Sequence, residues 1–588
     1  MSASSAPLRI SSPPPQRPGL ELLKADLAPA SLTWLRIGFW AGGFVLAAAQ
    51  AWVFRYQVSA DSISYLDMSD AVFPEWNWKR LINGVWSPLY PFLLGIFRRT
   101  FNISAANEIV GGHLLNLVFF LFAFACFEFF LRIAVKQVQF RNEITERDGL
   151  SGRLPEWAYL CLGYSLFLWA SIAYISVRNL RADMLMSGFV YLAIGILLRM
   201  KGRPARWNLY IALGFVLGIG YLAKVPFFPV SLVILVSTMF LVQNWRPALK
   251  LALVSLTIFF VIASAYFVPL SVSRGHFTLG ESSTFNYLIF INNVRPEWYL
   301  QDPGSARGAF IHQPERIFAA PPSYAFAVPQ RGTHPLRFDP SDWIEGVRPR
   351  FALKGQILAS ILALRNIVEL LWQMALVVLA ALAVALFSWE RGQLSDLLST
   401  WPIWLIGAVG CALYIPVHVE PRYVAEFLAL FWFGIILAFR TPSRVSPNVA
   451  LACTIVIVAS LLLPTTIFAA RRYFEYRLKS NADAQAAAQL AALGVMPGDH
   501  VARISHIVTD LGVERIARVE VIEEVDLRHA PEFWSAAATV RRELLNLFVS
   551  RGAKAVIATS PEPAPEGDAE WQRLGSTQYW VWLAKSGH

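Results

Sequence analysis

The stretch SLTWLRIGFWAGGFVLAAAQAWVFRYQVSADSISYLDMSD, residues 31–70, sets a long apolar run directly against three carboxylates. The run at 34–54 is long enough to cross the hydrocarbon core of a bilayer, which takes about 20 helical residues. Asp61, Asp67 and Asp70 follow it at once. Charge so close to lipid is costly unless it faces a cavity or a counter-charge. The first half of the stretch therefore points to a membrane-spanning bundle, and the second half marks where its chemistry is to be sought.

The rest of the chain agrees. Of its 588 residues, 56% are hydrophobic and only 15% are charged, with a mean hydropathy of +0.46, which excludes a soluble protein of this size. The 21 Trp fit indole anchors at the two headgroup layers. A net charge of +11 needs no nucleic acid, because basic loops against anionic lipid account for it. Cys126, Cys161, Cys411 and Cys453 all fall inside apolar runs, so neither a disulfide framework nor a cysteine metal site is suggested.

Apolar stretches of roughly 17 to 25 residues are read as spans. They lie near 34–54, 109–134, 157–177, 183–199, 207–223, 225–243, 248–270, 361–388, 401–417, 423–439 and 448–470, about eleven in all. The short piece PLYPFLLGIF after Trp86 is read as an interfacial or half-inserted helix. The loop RMKGRPARW, 199–207, is basic without an acid and is placed in the cytoplasm. Counting from it, a disordered Pro/Ser-rich leader at 1–33 is cytoplasmic. The bundle 34–470 sends the loops 55–108 and 271–360 to the periplasmic side of a bacterial inner membrane. Residues 471–588 have the composition of a small α/β domain and are expected on the same side, although the basic RRYFEYRLK before them pulls the other way.

With this topology the unusual polar residues gather at one face. Asp61 and Asp67 lie in the first outside loop with Tyr65; SVRNLRAD carries Arg178, Arg181 and Asp183; Lys224 interrupts GIGYLAKVPFFPV; PVHVEPRY carries His418, Glu420, Arg422 and Tyr423. Carboxylates beside several cations suit transfer of a sugar from a lipid-linked phosphate to a hydroxyl. A carboxylate takes the proton of the weak nucleophile, and Arg or Lys stabilises the departing phosphate. Plainer readings stand beside this one: Asp61 as a helix cap, Asp67 and Asp70 on one solvated helical face, Arg178 and Arg181 snorkelling to headgroups.

The motifs ADSISY, WSPLYPFLLGIF, RNLRADMLMSGFVYLAIGILLR, GIGYLAK and HVEPRYVAEFLAL, in this order over residues 34–470, resemble the GT-C membrane glycosyltransferases, in particular the branch of the protein mannosyltransferases and aminoarabinose transferases. The resemblance implies a polyprenyl-phosphate-sugar donor and a lipid, glycan or protein acceptor. It implies Asp61 as catalytic base, Lys224 and Arg422 on the donor phosphate, and Arg181 or Asp183 lining the cavity. Where the family often has Asp-Glu this chain has Asp61-Ser62, which leaves Asp67 as an alternative base. No cofactor is implied with certainty; a divalent metal is left open, since the family varies and no ligand cluster is visible. The rival reading is a transporter or flippase for a lipid-linked saccharide, using the same cavity for passage. Paired repeats, the usual mark of a transporter, are missing from the sequence.

Overall fold

The computed structural model describes residues 28–74, 76–147, 154–295, 301–326, 329, 331–387, 393–440, 447–476, 480–505, 511–525, 527–559 and 570–584. The leader expected over 1–33 lies, through residue 27, outside the described residues, and helix α1 (Pro29–Val53) begins within its last part. The bundle continues with α2 (Ala60–Ser69), α3 (Leu89–Thr100), α4 (Glu108–Arg147), α5 (Glu156–Leu168), α6 (Asp183–Met200), α7 (Trp207–Ala223), α8 (Phe227–Leu241), α9 (Trp245–Arg274) and α10 (Ser282–Phe290). After it come α11 (Leu353–Gln373), α12 (Ala375–Phe387), α13 (Gln393–Ser399), α14 (Trp401–Tyr414), α15 (Pro421–Ala438) and α16 (Pro447–Tyr476).

The chain is an α-helical polytopic membrane protein with a small C-terminal α/β region. Among the described residues eight helices are long and apolar enough to cross a membrane; with the pair α13–α14, bent by 66°, and the shorter α7 and α8, they occupy the eleven stretches read as spans. One expectation shifts: the apolar run at 361–388 is not one helix, because α11 starts at Leu353 and a turn at Met374 separates it from α12. Hydropathy is continuous across that turn and so could not mark it. The piece after Trp86 forms the 12-residue α3, too short to span.

Helices without a hydrophobic driving force between them associate where small residues admit a neighbour. Gly188 and Gly195 of α6 are seven residues apart and receive Phe122 and Phe129 of α4, also seven apart; a Cβ at either glycine would lie within 2.5 Å of a ring carbon. At Gly407 of α14 a Cβ would meet the α15 backbone at 2.5 Å.

The C-terminal region contains α17 (Ala482–Ala492), α18 (Gly512–Ala517), α19 (Ala530–Ser535) and α20 (Ala538–Ser550). The helices α19 and α20 are parted by extended backbone at Ala536 and Ala537. Strands β1 (Arg307–Gly308) and β4 (Val347–Arg348) pair alone. A seven-stranded sheet has β2 (Glu315–Phe318) and β3 (Ser323–Ala325) at one edge, then β6 (Glu520–Val525), β5 (His500–Ser505), β7 (Ala555–Thr559), β9 (Tyr579–Leu583) and β8 (Trp571–Arg573). The three strands β6, β5 and β7 run parallel, and β3 adds antiparallel to β6 with Ser323 opposite Val525. The long loop 271–360 therefore supplies two strands to the C-terminal sheet.

A buried ion network fixes this sheet region to α2. Arg515 reaches Asp67 at 2.7 Å, Asp70 at 2.6 Å and Glu108 at 2.8 Å; Arg518 reaches Asp70 and Glu108 at 2.7 Å; Arg98 reaches Asp70 and Glu108 at 2.9 Å. Three guanidinium groups face three carboxylates, so the network is neutral, and all but Arg518 are almost wholly buried. Burial raises the Asp70 carboxyl, but Arg515, Arg518 and Arg98 outweigh it and hold Asp70 well below the usual carboxylate range.

The segment after Gly332 ties the same parts together. Thr333 donates to Asp67, Ser64 donates to the Arg337 carbonyl, and His334 lies 3.1 Å from Glu524 of β6. Burial lowers the pKa of His334; Glu524 opposes this, while Arg337 and Arg503 add to it. The folded protein therefore keeps His334 neutral where the unfolded chain takes up a proton near pH 6.5, and the stability it contributes is lost as pH falls through that value. Asp339, raised to about 6, and Glu523, raised to about 7, titrate in the opposite sense, both chiefly through burial. The expected result is a comparison: between pH 7.5 and 5 the melting temperature of wild type falls relative to that of His334→Gln, measured by differential scanning fluorimetry in detergent. Parallel profiles would refute it.

Candidate active site

Asp61 is the second residue of α2. The helix is capped by Ser59, whose hydroxyl accepts from the Ser62 amide at 3.4 Å, so Asp61 is not the cap and is free to point elsewhere. Arg181 precedes α6 in a segment that follows a π-helical turn at Trp169–Ile175 and a left-handed Ser176 with φ 57°. That segment is held by buried polar side chains. Gln50 of α1 donates to Ile172 O and accepts from Val177 N, His113 of α4 bridges Val177 O and Gln57 O, and Asn116 donates to Asn179 O while accepting from Tyr90. Each satisfies backbone groups that irregular structure would otherwise leave unpaired at membrane depth.

Asp183 opens α6, where the helix dipole favours a carboxylate. Lys224 occupies the break between α7 and α8 in extended backbone; Ser87 accepts from the next amide, Val225 N, at 3.1 Å. Pro421 occupies the first position of α15, where its missing N–H costs nothing, and this sets Arg422 in the first turn.

These four places converge. Arg422 lies 3.3 Å from Asp61, 3.3 Å from Asp183 and 2.5 Å from Glu420, and donates to the Tyr423 hydroxyl at 3.1 Å. Arg181 Nε stands 3.2 Å from Asp61 without hydrogen-bond alignment. Lys224 Nζ is 2.5 Å from Asp183 and 4.1 Å from the centre of the Tyr423 ring. His418 stacks on Phe290 at 3.8 Å and lies 3.8 Å from Glu420. Burial raises Glu420, but the neighbouring His418 and Arg422 outweigh it and hold its carboxyl low. Tyr65 is buried beside Trp86 and Tyr90; burial first, then the charges of Asp183 and Asp61, push its phenol well above the ordinary value, so it remains a neutral donor.

Three cations and three carboxylates thus form one cluster with no net charge. Asp183 is 6% exposed and tightly held by Lys224, whereas Asp61 is 21% exposed and makes the longer contacts. Glu420, the third carboxylate, is 39% exposed but is held by Arg422 at 2.5 Å, so Asp61 is the most loosely held of the three. Two residues fall outside the cluster. Arg178 turns its guanidinium to the Phe54 ring, 5.8 Å away, and Asp67 is engaged by Thr333 and Arg515 in the buried network. Asp67 is thus committed to a different task from the one expected of an alternative base. Among the described residues no group of three His, Cys, Asp or Glu side chains could hold a metal ion, and the cluster's carboxylates are already matched to cations.

Sequence reading missed Arg98, Glu108, Arg515 and Arg518. Glu108 and Arg515 are 407 residues apart, and nothing in either local pattern announces the other.

No family model matches the chain, and no curated protein does. Among solved structures it is similar to ArnT from Cupriavidus metallidurans in the apo state, with 13% identity over 92% of this chain and 97% of that one, TM-score 0.38. It is likewise similar to the same protein bound to undecaprenyl phosphate, with 13% identity over 94% and 99%, TM-score 0.39. A third likeness is to the Archaeoglobus fulgidus oligosaccharyltransferase tethered to an acceptor peptide, with 12% identity over 90% of this chain and 69% of that one, TM-score 0.43. The chain resembles the GT-C membrane glycosyltransferases in the motifs of its sequence, and these are solved proteins to which it is similar.

Proposed function

We propose that the chain is a membrane glycosyltransferase that moves a sugar from a polyprenyl-phosphate donor to a hydroxyl of a lipid, glycan or protein acceptor, at the periplasmic face of a bacterial inner membrane. The observation that carries this reading is the ion cluster: a partly exposed, loosely held carboxylate, Asp61, bridged by two guanidinium groups that are themselves suited to a phosphate.

The donor phosphate takes Arg181 and Arg422 from Asp61, while Lys224 stays near through its contact with Asp183. Asp61, released beside the phosphate, then accepts the acceptor's hydroxyl proton. The acceptor oxygen bonds to the anomeric carbon as the bond from that carbon to the phosphate oxygen breaks. The electron pair remains on the phosphate, whose growing charge Arg181, Arg422 and Lys224 offset. One direct displacement inverts the anomeric carbon.

The test is release of free lipid phosphate by purified protein in nanodiscs, with a panel of polyprenyl-phosphate sugars and acceptors. Lys224→Ala and Arg422→Lys are expected to raise the KM for donor by about ten- to hundredfold, the worth of one charge-assisted hydrogen bond. An unchanged donor KM in both would remove the phosphate from this cluster. No release from any donor, with folded protein, would shift the weight to transport of a lipid-linked saccharide.

A further inference from the structure

Arg178 lies outside the ion cluster and has no acidic partner of its own. Among the described residues its side chain makes no hydrogen bond and no ion pair. It is half-buried, with its guanidinium 5.8 Å from the centre of the Phe54 ring, which is itself 5% exposed at the end of α1. An arginine that snorkels to headgroups stretches away from the bundle. This one turns in.

The surroundings are cationic. Phe54 packs on Tyr476 at 5.4 Å, and the Tyr476 hydroxyl accepts from Arg472 at 3.4 Å, both on the last turns of α16. Arg471 and Arg472 share one acid, Glu475, at 3.0 Å from each, so one positive charge is in excess there. Arg181 is already matched to Asp61. Burial first, then the charges of Arg181 and Arg472, disfavour the charged form of Arg178, and among the described residues only the Tyr476 phenol works the other way. A guanidinium does not give up its proton, so what relieves such a setting is an anion.

The position bears on the chemistry. Arg178 and Arg181 are three residues apart, their Cα atoms separated by at most about 11 Å, and Arg181 touches Asp61. Arg422 of α15 and Lys224 of the α7–α8 break form one side of the cluster, whereas Arg178 stands on the side where α1 and α16 pack together. An oxyanion at Arg178 displaces no carboxylate, while one in the cluster has to take its cations from Asp61.

We propose that Arg178, with Arg472 behind it, binds an oxyanion carried by the acceptor, which is therefore a hydroxyl compound bearing a carboxylate or phosphate and not a neutral alcohol. Resting on the reading of the ion cluster as the donor site, this places the acceptor's hydroxyl at Asp61 and its charged group at Arg178. The planar guanidinium meets such a group with two parallel hydrogen bonds. A neutral acceptor would leave the burial of this cation uncompensated.

The experiment is equilibrium binding, by microscale thermophoresis, to the full chain in phosphatidylcholine nanodiscs saturated with undecaprenyl phosphate, which covers Arg181, Arg422 and Lys224 on the donor reading. Glycerol phosphate and glycerate, small hydroxyl compounds with an oxyanion, are expected to bind at least about tenfold more tightly than glycerol. Arg178→Ala is expected to weaken both anions by about ten- to hundredfold and to leave undecaprenyl phosphate bound as in wild type. The Arg178 side chain has no hydrogen bond or ion pair to lose, so the variant keeps the fold. Arg422→Lys is expected to do the reverse, weakening undecaprenyl phosphate and sparing glycerol phosphate. Three results would each overturn the assignment: anion binding unchanged in Arg178→Ala, glycerol bound as tightly as glycerol phosphate, or glycerol phosphate lost when phosphatidylglycerol replaces phosphatidylcholine, which would make this a headgroup site. Undecaprenyl phosphate that fails to bind wild type, or binds Arg422→Lys equally well, overturns the donor reading instead and leaves the comparison of wild type with Arg178→Ala standing.

Discussion

Asp61→Asn is expected to fold as wild type and to lose about two to four orders of magnitude in transfer rate, the usual contribution of a positioned base. The amide has the shape of the carboxylate and its carbonyl oxygen still accepts from Arg422, so the walls of the cluster stay in place. It cannot take the hydroxyl proton. The substitution also relieves the cations of one negative partner, so donor binding should hold or tighten while the chemical step fails. Single-turnover release of lipid phosphate, beside equilibrium binding of donor, separates the two effects. Full activity in Asp61→Asn would exclude Asp61 as base, and Asp67 could not replace it without dismantling its contacts to Thr333 and Arg515.

Arg515→Ala is expected to be the most destabilising single change outside the spans. It removes the one side chain that touches Asp67, Asp70 and Glu108 together and leaves three carboxylates to Arg98 and Arg518. Breaking a buried ion pair from one side costs about 3–5 kcal/mol, because the remaining charge has no solvent to return to. Arg518→Ala should cost less, since its side chain is 21% exposed. Thermal unfolding in detergent and limited proteolysis after residue 476 report the loss. Arg515→Lys should rescue little, because a single ammonium cannot span three carboxylates. Transfer activity should fall with Arg515→Ala as well, since the network fixes the far end of the helix whose first turn carries Asp61. Equal stability of Arg515→Ala and wild type would show that the sheet region is held to the bundle by its apolar contacts alone.

The spans were legible because each requires a run of apolar residues, and that requirement is local. Lys224, Arg422 and Asp183 were legible for the same reason inverted: a charge in or beside such a run has to be accounted for, and the structure brings all three into contact with one another or with a shared partner. Asp67 was less legible. Its spacing from Asp61 and Asp70 fits a solvated helical face, and only the arrival of Arg515 and Thr333 from distant segments makes it a buried, fully engaged residue. The strands at Glu315–Phe318 and Ser323–Ala325 were hidden because two such short strands carry little periodicity of their own; the second is defined by pairing with Glu523, Glu524 and Val525, and the first by pairing with the second.

By itself the sequence determined that this chain is a helical membrane protein, where its helices cross, and which polar residues stand at their ends. Those follow from hydrophobic length and from the cost of isolated charge, both properties of a short stretch. The tertiary structure alone decided which carboxylate is held tightly and which is held loosely, that Arg515 and Arg518 belong with Asp70 and Glu108, and that a long loop completes the C-terminal sheet. Such facts depend on which oppositely charged or edge-exposed groups meet across hundreds of residues, and no local pattern carries that information.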